Sequence, residues 1–309
     1  MHHIHSMLKD HFEVYSPDFR KYGLLNSYLD TLWTGGRWLE GPVYFGDSRG
    51  LLFSDIPNDR ILRYDETTGQ VSAFRSPARN SNGHTRDRQG RLVSCEHGGR
   101  QVTRTELDGS VSVIADVYEG KRLNSPNDVV ISSDNAIWFT DPTYGIDGEY
   151  EGNRAESEIG ASNVYRFDPA SGALTIAAGD FVKPNGLAFS PDESTLYIAD
   201  TGATHLEDGP RHIRKFRHEN GKLAGGEVFA ICDHGLFDGF RLDVDGNIWT
   251  SAGDGVHCIN PAGELIGKIR LPETVANVCF GGPKRNRLFI CATTTLYATY
   301  LGTCGLPYF

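Results

Sequence analysis

One layout recurs along this chain of 309 residues and limits what it can fold into. A polar residue heads a short apolar run, a turn follows, and a second apolar run leads back. The clearest copy is Ser125-Pro126-Asn127-Asp128-Val129-Val130-Ile131, then Ser132-Ser133-Asp134-Asn135, then Ala136-Ile137-Trp138-Phe139-Thr140-Asp141. Other copies start at Glu40, Asn82, Asn185, Asp238 and Asn277. The starts lie roughly 35–60 residues apart, and a period of that order in which every unit reads as strands is the signature of a β-propeller. The expected fold class is therefore all-β: a six-bladed propeller.

In a propeller the first strand of each blade lines the central channel. Strands starting at one mouth place their first residues in a ring there. That ring is Glu40, Asn82, Asn127, Asn185, Asp238 and Asn277, all with side-chain oxygens. The turn preference of Asn and Asp accounts for part of this register, but Glu40 shares it and Glu is a poor turn residue. The second strand ends at Asp55, Glu96, Asp141 and Asp200 in the first four repeats, 14 or 15 residues after each start. A hairpin of that length returns the chain to its starting level. A second ring of carboxylates is expected around the first, with Asp55 and Asp200 open to bonding backbone amides instead.

Third and fourth strands follow, as in Arg60–Tyr64 and Val71–Phe74 around a Thr68-Gly69 turn. The last repeat runs out after Tyr300. Leu29-Asp30-Thr31-Leu32-Trp33 reads as a strand that completes it, closing the ring by joining both chain ends in one sheet. Residues 1–309 are read as one domain, with 1–28 an extension packed on the outside. Residues 142–162 interrupt the third repeat with a polar, Gly- and Glu-rich insertion. Loops beyond about 12–15 residues inside a compact domain are usually functional or disordered. This one leaves beside Asn127 and Asp141, so it reads as a lid with Tyr144 nearest the site. Residues 202–211 form a shorter counterpart carrying His205.

A formal net charge of −10 argues against nucleic acid, and a negative mouth favours a cation. No apolar run approaches a membrane span. The start, Met1-His2-His3-Ile4-His5, lacks the apolar core of a signal peptide; its histidines read as a disordered end rather than a metal site. The six cysteines are scattered without metal-ligand spacing. Cys95, Cys279 and Cys291 fall inside strands, where Cys serves as a small buried apolar residue. A reduced, cytoplasmic protein is expected, as monomer or homodimer.

Glu40, Asn127, Asn185 and Asp238 offer two charges and several neutral oxygens around one axis. Oxygen-only ligation suits one hard divalent cation, Ca²⁺ first, with Mg²⁺ or Mn²⁺ as alternatives. A cation with open positions polarises a carbonyl and stabilises a developing oxyanion, and Asp238 is placed to take a proton from water. No Gly-x-Ser-x-Gly elbow is present and no Cys has an evident His partner, which disfavours a nucleophilic Ser or Cys. His84, after Asn82, and His97, after Glu96, are candidates for a proton shuttle or substrate donor, with a structural role as the alternative.

From about Leu32 to Tyr300 the chain resembles the SMP-30/gluconolactonase/LRE-like family of six-bladed propellers. The resemblance rests on Trp38-Leu39-Glu40-Gly41-Pro42-Val43, Leu123-Asn124-Ser125-Pro126-Asn127-Asp128, Lys183-Pro184-Asn185-Gly186-Leu187, Phe237-Asp238-Gly239 and Cys279-Phe280-Gly281-Gly282. It implies that Glu40, Asn185 and Asp238 bind the divalent metal, that Asn127 lies beside it and contacts substrate, and that Asp238 doubles as acid/base. It implies hydrolysis of sugar lactones such as gluconolactone. Animal members carry Arg two residues before the Asn matched by Asn127. Here that position is Ser125, so the substrate-facing hydrogen bonds must differ; the form here looks more like bacterial sugar lactonases. The expected substrate contacts are Asn124, Asn127, Asp141, His84 and Tyr144.

Two other readings compete. An arylesterase or organophosphate hydrolase on the same metal site calls for a more apolar lining. A non-catalytic binding scaffold calls for a closed shell around a structural ion.

Overall fold

Each repeat folds into one antiparallel sheet, and six such sheets of four or five strands form the ring. The computed structural model describes residues 8–307, so His2, His3 and His5 lie outside the described residues. Blade one consists of Leu39–Phe45, Gly50–Asp55, Arg60–Asp65 and Val71–Arg75, in that order. The first strands of neighbouring blades touch one another around the axis. Blade six consists of Val275–Gly281, Arg287–Ala292 and Thr295–Tyr300, with Asp30–Thr34 paired on its outer edge. The ring is thus closed by the N-terminal strand, as the short last repeat required.

The middle strands read as unbroken apolar runs because both their faces pack on neighbouring blades. Ile137–Asp141 and Arg287–Ala292 are buried at every residue. The outermost strand Val111–Ala115 instead turns Val111 and Val113 to solvent. Upstream of the closing strand, Phe12–Val14 pairs with Leu265–Arg270 as a fifth strand of blade five. The short 3₁₀ helix Pro17–Lys21, capped by the Ser16 side chain, presses Phe19 onto the same blade. Phe19 and Tyr22 meet Trp249 with ring centroids 5.9 and 5.8 Å away. Among the described residues no helix is long and apolar enough to cross a membrane. All six cysteines are unpaired, five of them buried.

At the ring of polar residues the ladder breaks in every blade. Pairing skips between Glu40 and Val43, Ser81 and His84, Pro184 and Leu187, and Val275 and Asn277. In blades three and five regular pairing begins only at Val129 and Phe240. Asn127 and Asp238 therefore do not start their strands, as the repeat pattern suggested; one residue outside the strand, Asp128 or Gly239, intervenes. A bulge or late start turns a side chain out of the sheet's alternation, here toward the axis. Gly41 lets blades one and two meet at this level. It has φ +52°, and a Cβ there would fall 2.0 Å from the Asn82 carbonyl oxygen. Gly83 N donates to Asn127 O at 2.8 Å across the next seam.

Candidate active site

Three ring residues and the insertion of blade three meet at one mouth of the channel. Asn127, Asn185 and Asp238 line a cavity of about 130 Å³ together with Tyr144, Glu151 and Thr201. Glu40 stands beside them, buried to 3 % exposure. Its Oε2 accepts hydrogen bonds from Asn277 Nδ2 at 2.9 Å, across the seam between blades six and one, and from the Gly41 amide at 2.7 Å. Oε1 has no such partner among the described residues. Asn185 Nδ2 lies 3.3 Å from Thr201 Oγ1, which leaves its Oδ1 for another contact. Asn82 completes this side of the ring: its Oδ1 is buried and has no hydrogen-bond partner among the described residues.

The electrostatics of this mouth favour a cation. Burial pushes Glu40 up to about 8, with the charges of Asp128 and Glu151 adding to the effect. Burial also raises Asp238 well above the usual carboxylate range, and Glu40, Glu151 and Asp128 push it further. Carboxyls raised this way keep their protons unless a positive charge enters. Two carboxylates balance a divalent ion, and the amide oxygens of Asn185, Asn127 and Asn82 extend the set without adding charge. The donor set thus fits a hard cation. Among the described residues no three His, Cys, Asp or Glu side chains group as a metal cluster.

Three expected substrate contacts lie elsewhere. Asp141 is fully buried, and its oxygens accept the Asn124 and Ser125 amides at 2.9 and 2.8 Å. Asn124 is also fully buried. It donates to the Asp141 and Ala161 carbonyls and accepts from Ser157 Oγ. His84 is fully buried between Ser54 Oγ and Ser94 Oγ, at 2.8 and 2.9 Å from its two ring nitrogens. None of the three faces the cavity. The second ring of carboxylates has the same character. Asp200 accepts the Val182 and Lys183 amides; Asp55 accepts the Arg37 amide and the Arg60 guanidinium. Glu96 accepts from Gln101 and Thr103. The hairpin does return these residues to the level of the mouth. They sit on second strands, one layer behind the axis, where Asp55, Asp141 and Asp200 tie an incoming chain segment to their blades and Glu96 ties the second strand of its blade to the third.

The insertion reaches the cavity from above blade three and is fastened on both sides. Its short helix Tyr144–Asp147 leans on blade four. Tyr144 Oη lies 2.6 Å from Thr201 Oγ1 and 3.0 Å from Thr204 Oγ1, and Lys183 Nζ lies 2.6 Å from Asp147 Oδ2. His205 Nε2 is 3.2 Å from the same Asp147 oxygen. On the blade-three side, Ser125 Oγ donates to the Pro142 carbonyl at 2.6 Å and accepts the Gly145 amide at 2.9 Å. Gly145 is required there, since a Cβ would lie 2.5 Å from His97 Cβ. The residue that departs from the animal pattern, Ser125, therefore anchors the insertion. Glu151 was not singled out from the sequence. Its position in a loop has no register with the repeats, and only the fold brings it to Asp238.

The comparisons agree with this architecture. Residues 38–294 match the SMP-30/Gluconolactonase/LRE-like region. A gluconolactonase of Zymomonas mobilis is 32 % identical over 300 residues, covering 87 % of this chain and 80 % of that one. A pentonolactonase of Haloferax volcanii is 28 % identical, covering 83 % and 82 %. The solved structure of a Xanthomonas campestris gluconolactonase superposes with a TM-score of 0.88 at 37 % identity, covering 94 % of each chain. The chain belongs to the SMP-30/gluconolactonase/LRE-like family.

Proposed function

We propose that this protein hydrolyses a sugar lactone to the aldonic acid at the channel mouth holding Glu40, Asn127, Asn185 and Asp238. The observation that carries the reading is a pair of buried, charge-raised carboxylates among amide oxygens, at a small cavity that Asp238 lines, in a family whose relatives include gluconolactonases. Glu40, Asn185 and Asp238, with Asn127 beside them, would hold one divalent cation, Ca²⁺ first among candidates. When bound, that ion would polarise the lactone carbonyl and stabilise charge on its oxygen. Asn127 orients the substrate. Asp238 takes the proton of the attacking water and returns it to the ring oxygen as the C–O bond breaks. The insertion serves as a lid, with Tyr144 held over the cavity by Thr201 and Thr204. The unpaired cysteines fit a reducing compartment, the cytoplasm.

A pH-indicator assay over a panel of aldonolactones, with and without chelator, tests this. Acid release that chelator abolishes and Ca²⁺ restores is expected. Turnover of aryl esters or phosphotriesters but of no lactone would select the other hydrolase reading. The hydrogen-bonding side chains of Asn127, Glu151, Asn185 and Asp238 in a lining that also holds Trp38, Leu236 and Tyr144 favour the sugar.

A further inference from the structure

We propose that Glu151 is a specificity-determining residue, a carboxylate by which the insertion of blade three reads the hydroxyls of the lactone; this rests on the lactonase reading above. Glu151 lines the same cavity as Asn185 and Asp238. Three of the four other acids of the insertion are engaged with the protein, and the fourth, Glu156, is exposed to solvent away from the cavity lining. Asp147 binds Lys183, Glu158 accepts the Arg122 amide, and Glu149 accepts the Arg154 amide. No described residue donates a hydrogen bond to the Glu151 carboxylate, whose nearest basic group is His97 Nδ1 at 3.8 Å. The segment is not loose. Asn153 N and Ala155 N donate to Gly145 O and Ile146 O at 3.0 Å each, which pins the chain just after Glu151 to the short helix.

His97 supports this placement from behind. It is fully buried, and its Nε2 lies 3.2 Å from Asn82 Nδ2. An amide nitrogen only donates, so Nε2 accepts and the neutral ring carries its proton on Nδ1. That N–H is directed at the Glu151 stretch, whose backbone carbonyl is the acceptor it faces. The mouth thus presents a carboxylate with open acceptor positions, on a stretch of chain held from behind by His97. Adjacent sugar hydroxyls are the ligands that use such a group, since they donate to carboxylate oxygens without bringing charge. A third carboxylate on the metal is not required for charge, because Glu40 and Asp238 already balance a dication.

The experiment compares wild type, Glu151→Ala and Glu151→Gln on gluconolactone and on δ-valerolactone, the same ring without hydroxyls, with Ca²⁺ binding measured by calorimetry. Hydrogen bonds to charged groups support an expected loss in kcat/KM for Glu151→Ala of about 10–100-fold on gluconolactone, mainly in KM. At saturating Ca²⁺ valerolactone turnover should stay within about twofold, Ca²⁺ affinity should fall by less than about tenfold because only the nearby charge of Glu151 is lost, and Glu151→Gln, which keeps an acceptor oxygen, should lose less on gluconolactone. An equal loss on both lactones, a tenfold loss of Ca²⁺ affinity, or no loss on gluconolactone overturns the assignment. A wild type inactive on both lactones overturns the lactonase reading itself, and this inference with it.

Discussion

Asp128 and Arg241 face each other across the channel, with Oδ2 and Nη1 3.4 Å apart. They belong to the inner edges of blades three and five, and blade four lies between. The pair therefore spans the axis. It separates the Asp238 mouth from a second cavity of about 240 Å³ at the other end, lined by Val130, Ile131, Phe189 and Arg241. Asp128 also accepts its neighbour's amide, Val129 N, at 2.8 Å. The ion pair acts as a cross-brace.

Removing one side of this brace should be costly. Breaking a buried pair leaves the partner uncompensated, typically at about 3–5 kcal/mol. Arg241 is 14 % exposed at its side chain and also donates to Phe240 O, so Asp128→Ala should fall near the lower end, about 3 kcal/mol. Urea unfolding measures it. A loss under about 1 kcal/mol would place the pair among ordinary surface contacts.

Asp238→Asn separates its two proposed jobs. The amide keeps an oxygen and the shape but loses charge and basicity. Metal affinity should fall, and kcat at saturating metal should remain about 10²–10⁴-fold low, the usual worth of general-base help. Asn185→Asp, the contrast, adds charge at a ligand position without supplying a base. Near-normal kcat for Asp238→Asn in excess metal would make Asp238 a ligand only.

Metal binding should release protons. Glu40 is raised above its ordinary value to about 8 when no cation balances it. Its protonated form is favoured in the metal-free fold, so stability from this group is present at low pH and lost as pH rises toward 8. A bound dication reverses the preference. Apparent Ca²⁺ affinity should therefore climb from about pH 5 to 8, with proton release visible by calorimetry in buffers of different ionisation heat. Binding heats independent of the buffer would contradict it.

His84 should sensitise the fold to acid. Burial lowers its pKa to about 3, aided by the charge of Arg75. The unfolded chain takes up a proton near pH 6.5 and the folded one does not. Stability is intact above that value and falls as pH drops below it. From pH 7 to 5 this single group should cost roughly 2 kcal/mol. Replacing it by His84→Gln should lessen the acid-induced drop in urea midpoint by a comparable amount, and an unchanged drop would assign the sensitivity to other groups.

The blade count, the closing strand and the ring of polar residues were legible in the chain. Each is a local pattern repeated: the apolar runs at Ile137-Trp138-Phe139 and Leu288-Phe289-Ile290 call for strands buried on both faces, and six copies of one register define one ring. Asn127, Asn185 and Asp238 were found by that register because symmetry does the work of contact. The same reasoning overreached at Asp141, Asn124 and His84. Distance along a hairpin fixes the level a residue returns to, but not the direction of its side chain. At Asp141 the tertiary structure decided that both oxygens meet backbone amides. The tertiary structure alone also brought Glu151 to the cavity, joined Asp128 to Arg241, and made Ser125 the anchor of the insertion. These relations link residues of different register or of different blades, and no period in the sequence encodes them.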